Sequence, residues 1–336
     1  MFRIRRRWRA RMVASADTTV SSTPLRFSRT VSLVTFQPGN FDWSITVSGY
    51  ERRYVVHVPA SYHGAPVPLV IMLHGAGGNG QNALIDYNWI EASDRNGFIV
   101  VGPDALPVRP LRRRGFLVNP SVWRDGSNRV TSNGAVVDDV AFINAVLDTI
   151  HANAAVDPRR VFIAGHSSGA GMAYSLGVRL SHRIAAIAAI SGHLWLSDPL
   201  TLSYPVSLLL MDGTLDPLNP PSGGTVKMPW GNIETKPPML ESFNRWARLL
   251  NCPNTPVPFD NHHRVSGLTY RSCSSNSEAV YYLIDGMGHG WPGGTNRLPP
   301  RLIGPPSNAI DATRTIWSFF ENHPRTVTPE TFTSNR

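Results

Sequence analysis

Only two cysteines occur in 336 residues, and neither sits in a C-x-x-C pair. With no H-E-x-x-H string and no cluster of His, Cys and carboxylate at ligand spacing, the sequence offers no frame for a metal, and none is expected. Hydrophobic runs are short as well. None approaches the roughly 18 uninterrupted apolar residues that a spanning helix needs, so no integral membrane segment is expected. No internal repeat marks a solenoid or propeller. Charged residues make up only 16% of the chain, yet the balance is +9. Six arginines and no acid fall within residues 1–11, leaving +3 for the other 325 residues. The basic excess belongs to one end and not to a groove, so no nucleic-acid partner is expected. That end also lacks an apolar stretch of about 7–15 residues behind its arginines, so it does not read as a secretion signal. Residues 1–40 are read as a flexible basic leader.

What remains is 42% hydrophobic and large enough to bury one substantial core. A single α/β domain is expected over 41–324, followed by a tail at 325–336. Trp43–Ser48 and Arg53–Val58 read as an antiparallel pair, and the apolar run Pro68–Leu73 as a strand buried on both faces. A helix over Gln81–Asn96 and a strand at Phe98–Val101 follow. Val140, Ile143, Val146, Leu147 and Ile150 make a helical stripe over 138–152, opened by Asp138 and Asp139, which suit the helix dipole. Strands at Arg160–Ala164, Ile184–Ile190 and Val206–Met211, a helix at Leu240–Leu250, strands near Thr269–Arg271 and Ala279–Ile284, and a helix at Ala309–Asn322 complete the alternation. Such alternation implies right-handed crossovers and a mostly parallel sheet. Two long Pro/Gly-rich loops, 103–134 and 217–238, interrupt it and are expected to border the site. The first carries Arg109, Arg112, Arg113, Arg114 and Arg124, read as a solvated charged loop, with attraction of an acidic substrate as the alternative.

Chemistry enters at Gly165-His166-Ser167-Ser168-Gly169, which ends an apolar strand and opens a helix of small residues. A nucleophilic hydroxyl must be lifted clear of its sheet on a strained strand-to-helix turn, and the flanking glycines remove the collisions that turn would cause. Ser167 is therefore the candidate nucleophile. A serine at its ordinary pKa needs a base and an orienting carboxylate, in the chain order serine, acid, histidine. His289, in the glycine-rich loop Gly286–Gly294 after a predicted strand, is the candidate base. His166, His262, His263 and His323 read as structural or solvated. Asp216, on the loop beyond Val206–Met211, is the candidate orienter, whereas Asp212 at the strand edge reads as a turn cap. Leu73-His74-Gly75-Ala76-Gly77-Gly78 lets backbone amides approach a ligand. Ala76 and Ser168 are the candidate oxyanion donors. His74, Trp195 and Trp291 are candidate substrate contacts, with core packing the alternative for the two tryptophans. The loop lacks a G-K-[ST] ending, so it does not read as a phosphate loop. Cys252 and Cys273, 21 positions apart, are either a disulfide contributing up to about 3 kcal/mol or two separate buried thiols.

These residues resemble the polyhydroxybutyrate-depolymerase-type esterases, related to the feruloyl and acetylxylan esterases of carbohydrate esterase family one. The resemblance runs from about Gly49 to Asn322. It is carried by Arg53–Pro59, Leu73–Gly78, Val137–Ile143, Val156–Val161, the Ser167 turn, the Asp216 loop and Gly288–Gly293. It implies an α/β-hydrolase fold with helices on both faces of the sheet, a Ser167–Asp216–His289 triad and no cofactor. It further implies export to the extracellular space or periplasm, with a disulfide like Cys252–Cys273. The chain departs from the family in its leader and in the length of loop 217–238. The expected activity is hydrolysis of a hydroxyalkanoate-type polyester or related ester by a monomer, with a feruloyl or acetylxylan ester as alternative. A catalytically silent binding protein of the same fold is the alternative of another class.

Overall fold

The computed structural model describes residues 36–127, 137–229, 231–253, 255–260 and 264–326. The N-terminal half holds β1 (Gly39–Val47), β2 (Tyr50–Val58), β3 (Val67–Leu73), α1 (Gly80–Asp86), α2 (Trp89–Asn96), β4 (Ile99–Pro103), α3 (Asp139–Asn153), β5 (Val156–His166) and α4 (Ser168–Arg179). The remainder holds β6 (Ala186–Ile190), β7 (Ser207–Gly213), β8 (Gly224–Lys227), β9 (Ile233–Lys236), α5 (Met239–Leu249), β10 (Val257–Asp260), β11 (Val265–Tyr270), β12 (Ala279–Ile284), α6 (Pro300–Ile303) and α7 (Ala312–Glu321). Ten strands form one sheet in the order β1-β2-β4-β3-β5-β6-β7-β12-β11-β10. The six from β4 to β12 run parallel, and antiparallel strands close both edges.

The sheet is buried on both faces because its central strands carry near-continuous apolar runs. Along β3, Leu69, Ile71 and Leu73 enter the core shared with α3, α4 and α5, while Val70 and Met72 enter the opposite core with α2 and α7. Two-residue alternation thus feeds two cores from one strand. Cys252 and Cys273 form a disulfide that ties the end of α5 to the segment between β11 and β12. A loop of this size contributes about 3 kcal/mol. Among the described residues, no helix is long and apolar enough to cross a membrane.

Several sequence expectations shift. Phe36 is buried and stacks on Trp43, so the folded body begins before residue 41. Arg325 donates its backbone N–H to the Arg159 carbonyl, so it belongs to the body and not to a tail. The helix expected over 81–96 is two helices, because Asn88 adopts a left-handed backbone (φ 59°) between them. Loop 217–238 contains the antiparallel hairpin β8–β9. Residues 128–134 of the first long loop, and His262 and His263, lie outside the described residues. His323 is not solvated: its Nε2 lies 3.2 Å from Glu278, whose carboxyl is held below its usual range chiefly by that hydrogen bond.

Asp138 caps α3 as expected, accepting the Ala141 N–H at 2.8 Å. Asp139 does more than suit the dipole. Its carboxylate is buried, pairs with the buried Arg52 guanidinium at 2.6 Å and accepts the Arg124 N–H at 2.7 Å. Asp139→Ala would leave the Arg52 charge buried and unmatched. A loss of about 3–5 kcal/mol is expected, read as a lower urea midpoint with an unchanged slope.

Candidate active site

The end of β5 and the start of α4 are pressed against the end of β3. A Cβ on Gly165 would collide with the Gly169 carbonyl, and one on Gly169 with the Leu73 carbonyl. Only glycine allows that approach. Between them Ser167 sits at φ 55°, ψ −115°, a strained conformation for a side-chain-bearing residue, held by its N–H bond to the Ile190 carbonyl at 2.8 Å. The strain lifts its hydroxyl off the sheet.

The structure brings Ser167, His289 and Asp216 together from the C-terminal ends of β5, β12 and β7. His289 Nδ1 lies 2.7 Å from Asp216 Oδ2, and His289 Nε2 lies 2.8 Å from Ser167 Oγ. Asp216 Oδ1 accepts the N–H groups of Leu218 and Asn219, each at 2.8 Å, in an Asx-type turn. Burial opposes ionisation of Asp216, but the His289 ring and these two amides outweigh it and hold the carboxyl below its usual range. An ionised carboxylate only accepts, so Nδ1 of His289 carries the proton and Nε2 is left to accept from the Ser167 hydroxyl.

Asp212 is not a turn cap. β7 continues through Gly213, which leaves Asp212 fully buried within the strand, where burial first and the Asp216 charge second push its carboxyl well above the usual range. The two aspartates, four residues apart, are driven in opposite directions. His166 is buried as expected, accepts from the Tyr87 hydroxyl at 3.1 Å and has its pKa lowered to about 3 by burial and by the His289 ring.

Ala76 and Ser168 both line a cavity of about 520 Å³ that includes Ser167 and His289. Ser168 occupies the first turn of α4, where backbone N–H groups have no intrahelical acceptor. His74 lines the same cavity, and main-chain groups occupy both of its ring nitrogens. Its Nε2 accepts the Ala105 N–H at 3.0 Å and its Nδ1 donates to the Gly75 carbonyl at 2.7 Å, while burial lowers its pKa to about 4. The neutral ring braces the loop that carries Ala76. Trp291 follows the core-packing alternative: its ring is buried, stacks on Tyr87 and donates to Thr313 Oγ1 at 3.0 Å. Trp195 is outside the cavity lining, against His193 and 5.4 Å from the Lys236 ammonium. The walls come instead from the two long loops, through Phe116, Leu117 and Val118 on one side and Met228, Glu234 and Lys236 on the other. Sequence reasoning missed Tyr87 and Asn219. The Asp-Pro step at 216–217 was the available sign of a turn placing amides on Asp216.

Residues 52–202 match the family described as esterase PHB depolymerase. Over 279 residues the chain is 26% identical to feruloyl esterase D of Neurospora crassa, covering 82% of this chain and 83% of that protein. The acetyl xylan esterase from Aspergillus awamori superposes with a TM-score of 0.52 at 16% identity, over 74% of this chain and 94% of that one. Native sOPH superposes with a TM-score of 0.54, also at 16% identity, over 89% and 91% of the two chains. At these identities the two structures speak for the fold. Fold and relatives together define a carboxylic ester hydrolase of the α/β-hydrolase class. Within that class, the stretch 52–202 is similar to the PHB-depolymerase-type esterases.

The opposed environments of the two aspartates give a paired test. Asp216→Asn is expected to lower kcat by on the order of 10⁴, because the amide supports the wrong His289 tautomer. Asp212→Asn should leave kcat nearly unchanged and alter stability instead. The raised folded-state pKa of Asp212 makes its contribution full below about pH 3.9 and progressively lost as pH rises above that value. Relative to wild type, Asp212→Asn should therefore gain stability between about pH 4 and pH 7, measured by thermal unfolding.

Proposed function

We propose that the protein hydrolyses carboxylic esters through an acyl-enzyme on Ser167, with His289 as base then acid and Asp216 as the orienting carboxylate. The observation that carries this reading is the unbroken relay from Asp216 Oδ2 through His289 to Ser167 Oγ, at 2.7 and 2.8 Å. His289 Nε2 takes the hydroxyl proton as Ser167 Oγ attacks the ester carbonyl. The Ala76 and Ser168 amides stabilise the oxyanion, helped by the positive end of α4. The proton then passes from Nε2 to the leaving alkoxide. Water, deprotonated by the same nitrogen, cleaves the acyl-enzyme and releases the acid. Asp216 holds the tautomer and the transient imidazolium without taking the proton. No step calls for a cofactor.

The substrate we assign is an ester of an aliphatic, hydroxyalkanoate-type polyester, a reading that the family match and the aliphatic wall at Leu117 and Val118 support. The second reading is a feruloyl ester of plant polysaccharide, favoured by the similarity to feruloyl esterase D. We place the working protein outside the cytoplasm, in an oxidising compartment where the Cys252–Cys273 bond persists.

Ser167→Ala is expected to lower turnover of p-nitrophenyl esters by on the order of 10⁶, and a fluorophosphonate probe should label wild type but not the variant. Wild-type activity in Ser167→Ala would remove the reading. For the substrate, clearing of a polyester suspension is expected with little release of ferulate from methyl ferulate. The reverse pattern selects the second reading.

A further inference from the structure

Between β4 and α3 the chain makes an excursion at residues 106–122, drawn into a narrow finger by the bridges Pro107–Ser121 and Gly115–Asn119. The buried Asn119 acts as its spool. Its side-chain amide donates to the carbonyls of Arg109, Arg112 and Arg113 at 3.1, 3.2 and 3.2 Å, and its Oδ1 accepts the Arg109 N–H at 2.8 Å. At the base, the Arg124 guanidinium donates to the carbonyls of Leu106, Pro107 and Val122 at 3.1, 3.0 and 3.1 Å. Arg114 reaches back to the carbonyls of Gly77 and Gly78, beside Ala76. The finger is therefore wound in advance by its own polar groups.

Two of the five arginines, Arg114 and Arg124, donate to main-chain carbonyls. Arg109, Arg112 and Arg113 are exposed, and among the described residues no carboxylate forms an ion pair with them. No Asp or Glu occurs anywhere in 105–124. Interleaved with these cations stand Leu111, Leu117 and Val118, at 91%, 61% and 82% exposure. Single exposed aliphatics are ordinary. Three on one braced finger, continuous with a catalytic cavity that Arg109, Leu117 and Val118 also line, form a contact surface.

We propose that this finger docks the enzyme on an insoluble aliphatic polyester whose surface chain ends are carboxylates. The inference rests on the polyester reading of the substrate. Hydrolysis of one internal ester bond adds one water and leaves a carboxylate on one chain end and a hydroxyl on the other, while the rest of the surface stays apolar. Leu111, Leu117 and Val118 match the apolar surface, and the guanidinium groups match the carboxylates. Adsorption then strengthens where the enzyme has already cut. A polysaccharide fits less well, since sugar rings pack on aromatic faces and the finger's one ring, Phe116, is half-buried against Gly77.

The test uses full-length Ser167→Ala protein, so that the particles do not change during adsorption. Poly(3-hydroxybutyrate) particles are used fresh and after mild alkaline hydrolysis that raises their surface carboxylate. Adsorption is expected to be roughly fivefold tighter on the treated particles at low salt. That preference should vanish at about 1 M salt and in Arg112→Gln/Arg113→Gln. Leu111→Ser should weaken adsorption to both particles. In the active background these variants should keep kcat/KM for p-nitrophenyl butyrate within about twofold, because neither surface change reaches the cavity. Equal adsorption to both particles overturns the proposal, as does a preference that survives in Arg112→Gln/Arg113→Gln. Retention on an acidic glucuronoxylan through the same arginines, without adsorption to polyester, also overturns it and assigns the finger to a polysaccharide. Wild-type inactivity on the soluble ester strikes the hydrolase reading instead, and the adsorption arms decide docking independently of it.

Discussion

The backbone of α4 meets the end of β3 so closely that a Cβ on Gly169 would enter the Leu73 carbonyl. From that approach the geometry of the whole site follows. Because α4 starts there, Ser168 and the Gly75–Gly78 turn line one cavity. Ser167, caught between β5 and α4, takes a backbone conformation it would not adopt alone. A second pinch repeats the device across the sheet, where a Cβ on Gly213 would enter the Met287 carbonyl. It presses the loop bearing Asp216 against the loop bearing His289. Two close backbone approaches thus hold three side chains from three strand ends at hydrogen-bond distance, with the sheet order β5-β6-β7-β12 setting the span.

Electrostatics completes what packing begins. Two carboxylates near one imidazole would compete for its proton, and two ionised carboxylates this deep would repel. The fold separates them by environment. Asp216 receives two backbone amides and the His289 ring, and Asp212 receives burial and the Asp216 charge. One negative charge, at a defined place, faces the histidine. The neighbouring imidazoles are kept from adding a positive one: burial depresses His166 to about 3 and His74 to about 4.

What the sequence disclosed and what it hid divide along a physical line. The strands and the order Ser167, Asp216, His289 were legible because apolar runs bounded by glycine are signals local to the chain. The break at Tyr87–Asn88 was not, since the apolar pattern continues through it and only Asn88's positive φ interrupts the helix. β8 and β9, four residues each and mostly exposed, carry too little alternation to stand out from a Pro/Gly-rich loop. For Trp291 the two readings stayed open, and its ring turns inward onto Tyr87. The bracing role of His74 was hidden because both ring nitrogens are taken by main-chain groups, one of them 31 residues away. Side-chain direction and long-range partners are properties of the folded chain, and no local pattern encodes them.

The proposed catalytic groups and the cavity walls have different origins in the chain. Ser167, Asp216 and His289 stand on the ends of buried parallel strands, where any shift would disturb two cores. The walls are insertions: the 106–122 finger after β4 and the β8–β9 hairpin after Asp216. Each insertion is stiffened by its own buried polar contact, the Asn119 amide in the finger and the Lys236–Glu234 pair, 2.6 Å apart, in the hairpin. A buried ion pair adds little net stability, but it fixes one geometry among several of similar energy. The hydrogen bonds that join Asp216, His289 and Ser167 run between other residues. The finger and the hairpin can therefore change in sequence and reshape what enters the cavity, while the hydrogen-bonded relay at its floor stays as it is.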